Sequence, residues 1–217
     1  MMQRRQCLIG LGALALSLSP VAAFAAAANT GDPYEWVVDL SNRVLDKIKG
    51  DAALRDGNVA RIQELVDGTI KPNVDFRMVT RMTIGPRWRQ ATPEQREELQ
   101  KLFEQLLIRV YSGGLKQITD NVCELRPSRN RLVSDDMVVR TLLKSPSEPK
   151  PIAMDYRIYK NKEGQWKIID MNVEGIWMVE NYHAQFASVL NEGGVEGLIK
   201  ELRSKVEAQD APEGAAK

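Results

Sequence analysis

The stretch 165–186, QWKIIDMNVEGIWMVENYHAQF, constrains the fold more than any other part of the chain. Its first half alternates. Lys167, Asp170 and Asn172 are interleaved with Ile169, Met171 and Val173, the period of a half-buried strand. Gly175 interrupts the pattern, as a residue free to take a positive φ does at a strand end. Beyond it Ile176, Val179, Tyr182, Phe186 and Leu190 recur at three- and four-residue steps, which is one apolar face of a helix. A last strand therefore feeds directly into a closing helix, and both turn their apolar sides toward one interior. The rest of the chain has to supply the other walls.

The upstream half reads as helices. Asp32 is placed to cap a first helix with Pro33 at its first position, and Trp36, Val37, Leu40, Val44, Leu45 and Ile48 mark its inner face up to Gly50. A second helix is expected over 58–70, stopped by Pro72, and a third over 75–83, carrying Phe76, Val79 and Met82 on one side. Gly85-Pro86 breaks the chain again, just before Trp88. Thr92-Pro93-Glu94-Gln95 is a capping box with proline at the first helical position. The long helix it opens faces inward with Leu99, Leu102, Phe103, Leu106, Leu107 and Val110, until Gly113-Gly114 kinks or ends it. These two breakers read equally as ordinary helix caps or as hinges.

From Asn121 the hydrophobic period changes from 3.6 to 2. Strands are expected near 122–125, 137–144, 151–159 and 166–173, joined by turns at 145–149 and 161–164. Such short connections make antiparallel neighbours. Two helices follow, over 176–191 and 195–208, split at Gly193-Gly194. Helices, a meander and helices again define an α+β fold: a curved four-stranded antiparallel sheet wrapped by helices.

The ends read differently. Arg4 and Arg5 precede an apolar stretch over 7–18 that is too short to span a bilayer; Pro20 breaks it, and Ala23-Phe24-Ala25 is a small-x-small cleavage site. Residues 1–25 are therefore expected to be a signal peptide cut after Ala25. The Arg4-Arg5 pair raises a twin-arginine route, but its surroundings match that consensus poorly, and Cys7 lacks a lipoprotein context. The mature chain is expected to be one domain over 26–208 with a polar, disordered tail over 209–217. Cleavage takes the net charge from +1 to about −1, which gives no pull toward nucleic acid or anionic membranes. Cys123 is left without a partner in an oxidising compartment, so packing alone must hold the fold.

No catalytic centre stands out. His183 is the only histidine, and with Cys123 it makes no zinc ligand set. Nucleophile-elbow, C-x-x-C, glycine-rich phosphate-loop and H-E-x-x-H patterns are all missing. Asp155 and Asp170 alternate with apolar neighbours in adjacent strands and could sit near each other; paired carboxylates can do acid–base work, but strand carboxylates on a solvent face are far commoner. Asp170 is also the better candidate for a buried structural carboxylate. What the chain does supply is apolar surface. Met154, Tyr156 and Ile158 share one strand face, and Ile169, Met171 and Val173 share the next. The helices bring Phe76, Met82, Leu106 and Val110, with Ile84 and Trp88 just after the third. These residues read as a packed core or as the wall of a cavity. The methionines among them suit an interior that adapts to a flexible guest.

A family likeness rests on an ordered set of residues. It comprises Asp75-Phe76 through Gly85 with Trp88; Ala91-Thr92-Pro93-Glu94-Gln95; and Tyr111-Ser112-Gly113. After these come Trp166-Lys167 through Asp170, Val173-Glu174-Gly175-Ile176, Asn181-Tyr182 with Gln185-Phe186, and Gly197-Leu198. Together they cover most of 32–205. The chain resembles the MlaC, or toluene-tolerance, family of periplasmic phospholipid-binding proteins. The resemblance implies a helix-wrapped curved sheet enclosing a deep apolar pocket for the acyl chains of a glycerophospholipid, with no cofactor and no catalysis. It also implies a periplasmic monomer that shuttles lipid between an outer-membrane lipoprotein–porin complex and an inner-membrane ABC transporter bearing an MCE-domain ring, maintaining outer-membrane lipid asymmetry. The lining would be Phe76, Met82, Ile84, Trp88, Leu106, Val110, Met154, Tyr156, Ile158, Ile169, Met171 and Val173. Two other readings stand beside it: a cone-fold enzyme using Asp155 or Asp170 as a base in an apolar cavity, and a ligand-free periplasmic adaptor with a solid core.

Overall fold

A computed structural model describes residues 31–126 and 134–210 of the chain. The expected signal peptide and the segment 211–217 lie outside the described residues.

The helical half follows its capping signals. Asp32 Oδ1 accepts from the backbone N–H of Tyr34 (2.7 Å) and Glu35 (3.2 Å), opening α1 (Pro33–Gly50). The region 52–70 divides into α2 (Ala52–Arg55), α3 (Val59–Leu65) and a π-helical turn, Val66–Ile70. Asp75 caps α4 (Phe76–Ile84) through Met78 N–H at 2.8 Å. A 3₁₀ segment, Gly85–Gln90, leads to the capping box. There Thr92 Oγ1 accepts from Gln95 N–H (3.2 Å) while Gln95 Oε1 accepts from Thr92 N–H (3.0 Å). The helix so opened is α5 (Pro93–Ser112).

The sheet is an antiparallel meander in chain order: β1 (Val122–Leu125), β2 (Asp136–Ser145), β3 (Glu148–Lys160), β4 (Trp166–Val173) and β5 (Ile176–Trp177). It has five strands, not the four expected from the sequence. The extra strand arises because the chain does not pass from β4 straight into a helix. It turns back through Glu174 (φ 51°) and Gly175 (φ 95°), a two-residue connection with positive φ at both positions, as tight hairpins of this hand require. Glutamate rarely adopts that conformation. Here Glu174 is held by two bonds to β3: its N–H donates to the Ala153 carbonyl (2.9 Å), and its Oε1 accepts from Ala153 N–H (2.5 Å). Ile176 therefore sits in a strand, 63% exposed, and not on the inner face of a helix. The closing helical run α6 (Met178–Asp210) is two segments joined through Gly194 (φ 62°, ψ −154°), as the glycine pair predicts.

A second departure lies within the β3–β4 pair. Arg157 is opposite Asp170 and Ile158 is opposite Ile168, which leaves Ile169 as the extra residue of a bulge. The bulge reverses the alternation along β4. Trp166 and Ile168 join Met171 on one apolar face, and Ile169 is buried outside that set.

Packing separates into clusters. Trp36, Val37 and Leu40 of α1 lie against Met137, Val139, Tyr156, Ile158, Trp166 and Ile168 of the sheet. A helical cluster joins α4, α5 and α6 around Phe103, whose ring meets Tyr182 (5.1 Å, 78°) and Phe186 (5.7 Å, 75°) edge-on. Val74 packs against both clusters. It forms a parallel bridge with Ile168, fixed by Asp75 N–H to the Ile168 carbonyl (3.0 Å) and Ile168 N–H to the Asn73 carbonyl (2.9 Å). Asp75 adds a second tie. It accepts from the Tyr159 hydroxyl at 2.6 Å, and that phenol, desolvated and facing a carboxylate, is pushed up to about 12.

Gly85, one of the two breakers, ends α4 as a packed joint. It sits at φ 67°, ψ −141°, and a Cβ there would lie 3.0 Å from His183 Cε1. His183 in turn donates from Nδ1 to the Thr83 carbonyl at 2.8 Å. Gly85→Ala is expected to lower stability by about 2 kcal/mol or more, from the left-handed backbone and the displaced imidazole together. A urea titration checks this as a lower midpoint at unchanged slope.

Candidate functional site

The apolar face of the sheet is covered at one end and open at the other. Opposed pairs place Leu143 with Ile152, Val139 and Met171 with Tyr156, Met154 with Val173, and Val173 with Ile176 on that face. Helix α1 buries the Tyr156–Ile158 end, where the two residues are 8% and 0% exposed. Toward the other end Met154 and Met171 are half-buried against that cluster, Val173 is half-buried, and Ile152 and Ile176 are exposed. The corner Ile152–Val173–Ile176 is thus the least covered part of this apolar face. Of the expected wall, Met154, Tyr156, Ile158, Met171 and Val173 are brought together here. Ile168 takes the place foreseen for Ile169. Ile152 went unrecognised although its spacing of two from Met154 was legible; Ile176 was hidden by the missed hairpin.

The interface beneath α1 contains polar groups. Ser41 Oγ donates to the Tyr156 hydroxyl (3.0 Å), which donates onward to Met154 Sδ (2.9 Å). Burial pushes the Tyr156 phenol far above its ordinary range. Trp166 Nε1 donates to the Gly31 carbonyl at 3.1 Å.

The expected helical lining lies elsewhere. Ile84, Trp88 and Leu106 are buried in the cluster around Phe103, with Phe76 and Met82 packed half-buried against it. These five are therefore joined to the sheet wall through Val74 and do not face it across one chamber. Val110, expected to point inward, is 46% exposed. The inner face of α5 instead continues through Ile108, which packs with Ile48, Leu54, Ile62, Leu65 and Val66. A helix that serves two clusters turns away a residue that a single-stripe reading keeps inside.

Two surface clefts flank Phe76. One, about 620 Å³, is lined by Gln63, Asp67, Lys71, Gln100, Lys101 and Glu104 among others; the other, about 570 Å³, runs between Val74–Met78 and the β3–β4 turn. In the first, the buried Glu104 carboxylate is already paired, with Lys71 at 2.8 Å and Gln63 at 2.9 Å. Neither cleft is the enclosed apolar pocket implied by the family likeness.

The candidate bases face away from the apolar corner. Asp155 and Arg157 alternate with Met154, Tyr156 and Ile158, and Asp170 lies opposite Arg157 on that other face. Asp155 is held by Arg126 Nη2 at 3.1 Å. Asp170, 6% exposed, accepts on Oδ1 from Met171 N–H (2.8 Å) and from Val179 N–H at the start of α6 (3.0 Å). Burial pushes its carboxyl up, against the pull of those two N–H groups and Arg157. This is the structural role its sequence position favoured. Cys123 is a buried free thiol packed with Leu45 and Leu143, and burial pushes it up. Among the described residues no three His, Cys, Asp or Glu side chains are grouped to hold a metal, and no helix is long and apolar enough to cross a membrane.

The chain is similar to known proteins. The chain is 20% identical over 172 residues to the intermembrane phospholipid transport system binding protein MlaC of Haemophilus influenzae, covering 79% of this chain and 80% of that one. It is 22% identical over 193 residues to the toluene tolerance protein ttg2D of Pseudomonas putida, covering 85% and 88%. Its fold is similar to a phospholipid-binding protein of Ralstonia solanacearum solved in complex with a phospholipid: TM-score 0.77, 38% identity, 83% of this chain and 99% of that one. Residues 38–204, from within α1 to the second segment of α6, match the family described as MlaC protein. With that span matched, the chain belongs to the MlaC family.

Proposed function

We propose that this chain is a periplasmic phospholipid carrier that holds acyl chains against the apolar face of its sheet and shuttles the lipid between membrane complexes. The observation that carries the reading is the Ralstonia relative, which binds a phospholipid and shares 38% of its residues with this chain over nearly its whole length. The open apolar corner supports it: Met154, Met171 and Val173 offer a half-buried wall with two methionines, whose unbranched thioethers repack around a flexible guest. The acyl chains extend this wall toward Phe76, Met82, Ile84, Trp88 and Leu106 as α1 and the helical cluster part about Val74.

Such a carrier answers a physical need. Each buried CH₂ is worth about 0.8 kcal/mol, so a two-chain lipid does not leave its bilayer for water at a useful rate. A carrier that binds much less well collects nothing; one that binds much better delivers nothing. The partners in this reading are an outer-membrane lipoprotein–porin complex and the MCE-domain ring of an inner-membrane ABC transporter, and the outcome is lipid asymmetry of the outer membrane. The carrier performs no chemistry on its cargo.

Mass spectrometry of a lipid extract of the purified protein tests the proposal. About one phospholipid per chain is expected. An extract empty of lipid, from a folded protein exposed to phospholipid vesicles, would favour the solid-core adaptor instead.

A further inference from the structure

We infer that Trp36 donates a hydrogen bond to an ester carbonyl of the bound lipid and so makes the carrier selective for ester-linked diacyl over ether-linked dialkyl cargo. The inference rests on the proposed phospholipid binding and adds a specificity-determining residue to it.

Trp36 lies on the first turn of α1, in the cluster between that helix and the sheet, and is 9% exposed. Its Nε1–H is buried and has no hydrogen-bond partner among the described residues. A buried indole N–H ordinarily finds an acceptor, because leaving one unmade forfeits its hydration. Its neighbours follow that rule. Trp166, in the same cluster, gives its indole N–H to the Gly31 carbonyl, and Tyr156 accepts from Ser41 and donates to Met154.

The chemistry of the missing acceptor is narrow. The cluster that holds it is apolar apart from Tyr156 and Trp166, whose polar atoms are already engaged, so a charged partner would be desolvated without compensation, whereas a neutral carbonyl would not. A diacyl lipid carries two such carbonyls where its tails meet its polar end. The position of Trp36 agrees: it sits on the first turn of α1, in the cluster over the same sheet face that carries Met154 and Met171. An ether-linked lipid offers the same tails and headgroup with no carbonyl.

The test loads the full protein from vesicles containing equal amounts of a diester phosphatidylethanolamine and its dialkyl-ether analogue of matched chains, and measures bound lipid by mass spectrometry. The diester is expected to be enriched about fivefold to tenfold on the wild-type protein, the worth of one buried hydrogen bond. Trp36→Phe, which keeps an aromatic ring and removes the donor, is expected to bring the ratio to within about twofold of unity while ether-lipid loading stays the same. A ratio near one on the wild type, or an unchanged preference in Trp36→Phe, overturns the inference and leaves the carrier intact. If neither lipid loads, the carrier reading itself falls and this inference with it. Should Trp36→Phe fail to fold, the indole N–H resonances of the four tryptophans of the wild type decide. One of them moves downfield with the diester and not with the diether; no such difference overturns the assignment.

Discussion

Val173→Glu is expected to give a folded protein that loads almost no lipid. Val173 lies at the edge of α1's cover, half-buried, paired with Met154 on β3 and Ile176 on β5. In the empty protein a carboxylate there reaches solvent past the exposed Ile152 and Ile176, so its cost to folding is modest. In the loaded protein the same carboxylate is pressed against acyl chains. Burying it, or protonating it to bury it, costs about 3 kcal/mol or more, on the order of a hundredfold in affinity. Met171→Glu should empty the protein too, at a larger cost to stability, because Met171 faces Tyr156 within the α1–sheet cluster. Lipid counted per chain by mass spectrometry, beside a urea titration of the empty protein, separates the two losses. Wild-type occupancy in a folded Val173→Glu protein would remove this face from the site.

Elements with redundant local signals were legible in the sequence. The capping box at Thr92–Gln95, the Asp32-Pro33 start, the two-residue alternation of β2 and the glycine break at 194 each place a boundary that the structure repeats, while β3 begins at Glu148, inside the turn expected over 145–149. The departures occur where one residue decides a register. At Ile169 the chain inserts a bulge that no composition cue announces, and every β4 residue before it changes face. At Glu174 a non-glycine takes a left-handed backbone because Ala153 on the neighbouring strand holds it from both its N–H and its carboxylate. That support is tertiary, and a local reading has no access to it.

The site was legible as a set of residues and not as an arrangement. Spacing by two put Met154, Tyr156 and Ile158 on one face, and the structure keeps them there. Spacing by three and four put Phe76, Met82 and Leu106 on inner helix faces, which is also what the structure shows. What the spacing does not encode is that these inner faces meet Phe103 and α6 before they meet the sheet. Val110 shows the same limit on a smaller scale. The helix that carries it packs against two clusters, so the apolar stripe changes partner at Ile108 and Val110 emerges into solvent.

Asp170 separates the carrier from the enzyme reading. Its Oδ1 is shared by Met171 N–H and Val179 N–H, and the second of these opens the helix that supplies Tyr182, Phe186 and Leu198 to the helical cluster. Asp170→Ala leaves the Val179 N–H buried without an acceptor and is expected to cost about 3 kcal/mol. Asp170→Asn keeps an acceptor oxygen in place and should cost about 1 kcal/mol. The pH dependence has a defined sign. Burial raises the carboxyl above its ordinary 3.8, so its contribution to stability is full below that value and is lost as the pH rises through the raised one. Asparagine does not ionise; the Asn variant should therefore gain on the wild type as the pH rises from about 4 through the raised value. If Asp170 only positions α6, the folded Asn variant loads lipid as the wild type does and its stability follows this pH trend. A catalytic base would behave differently: Asp170→Asn would leave a substrate unconverted that the wild type turns over.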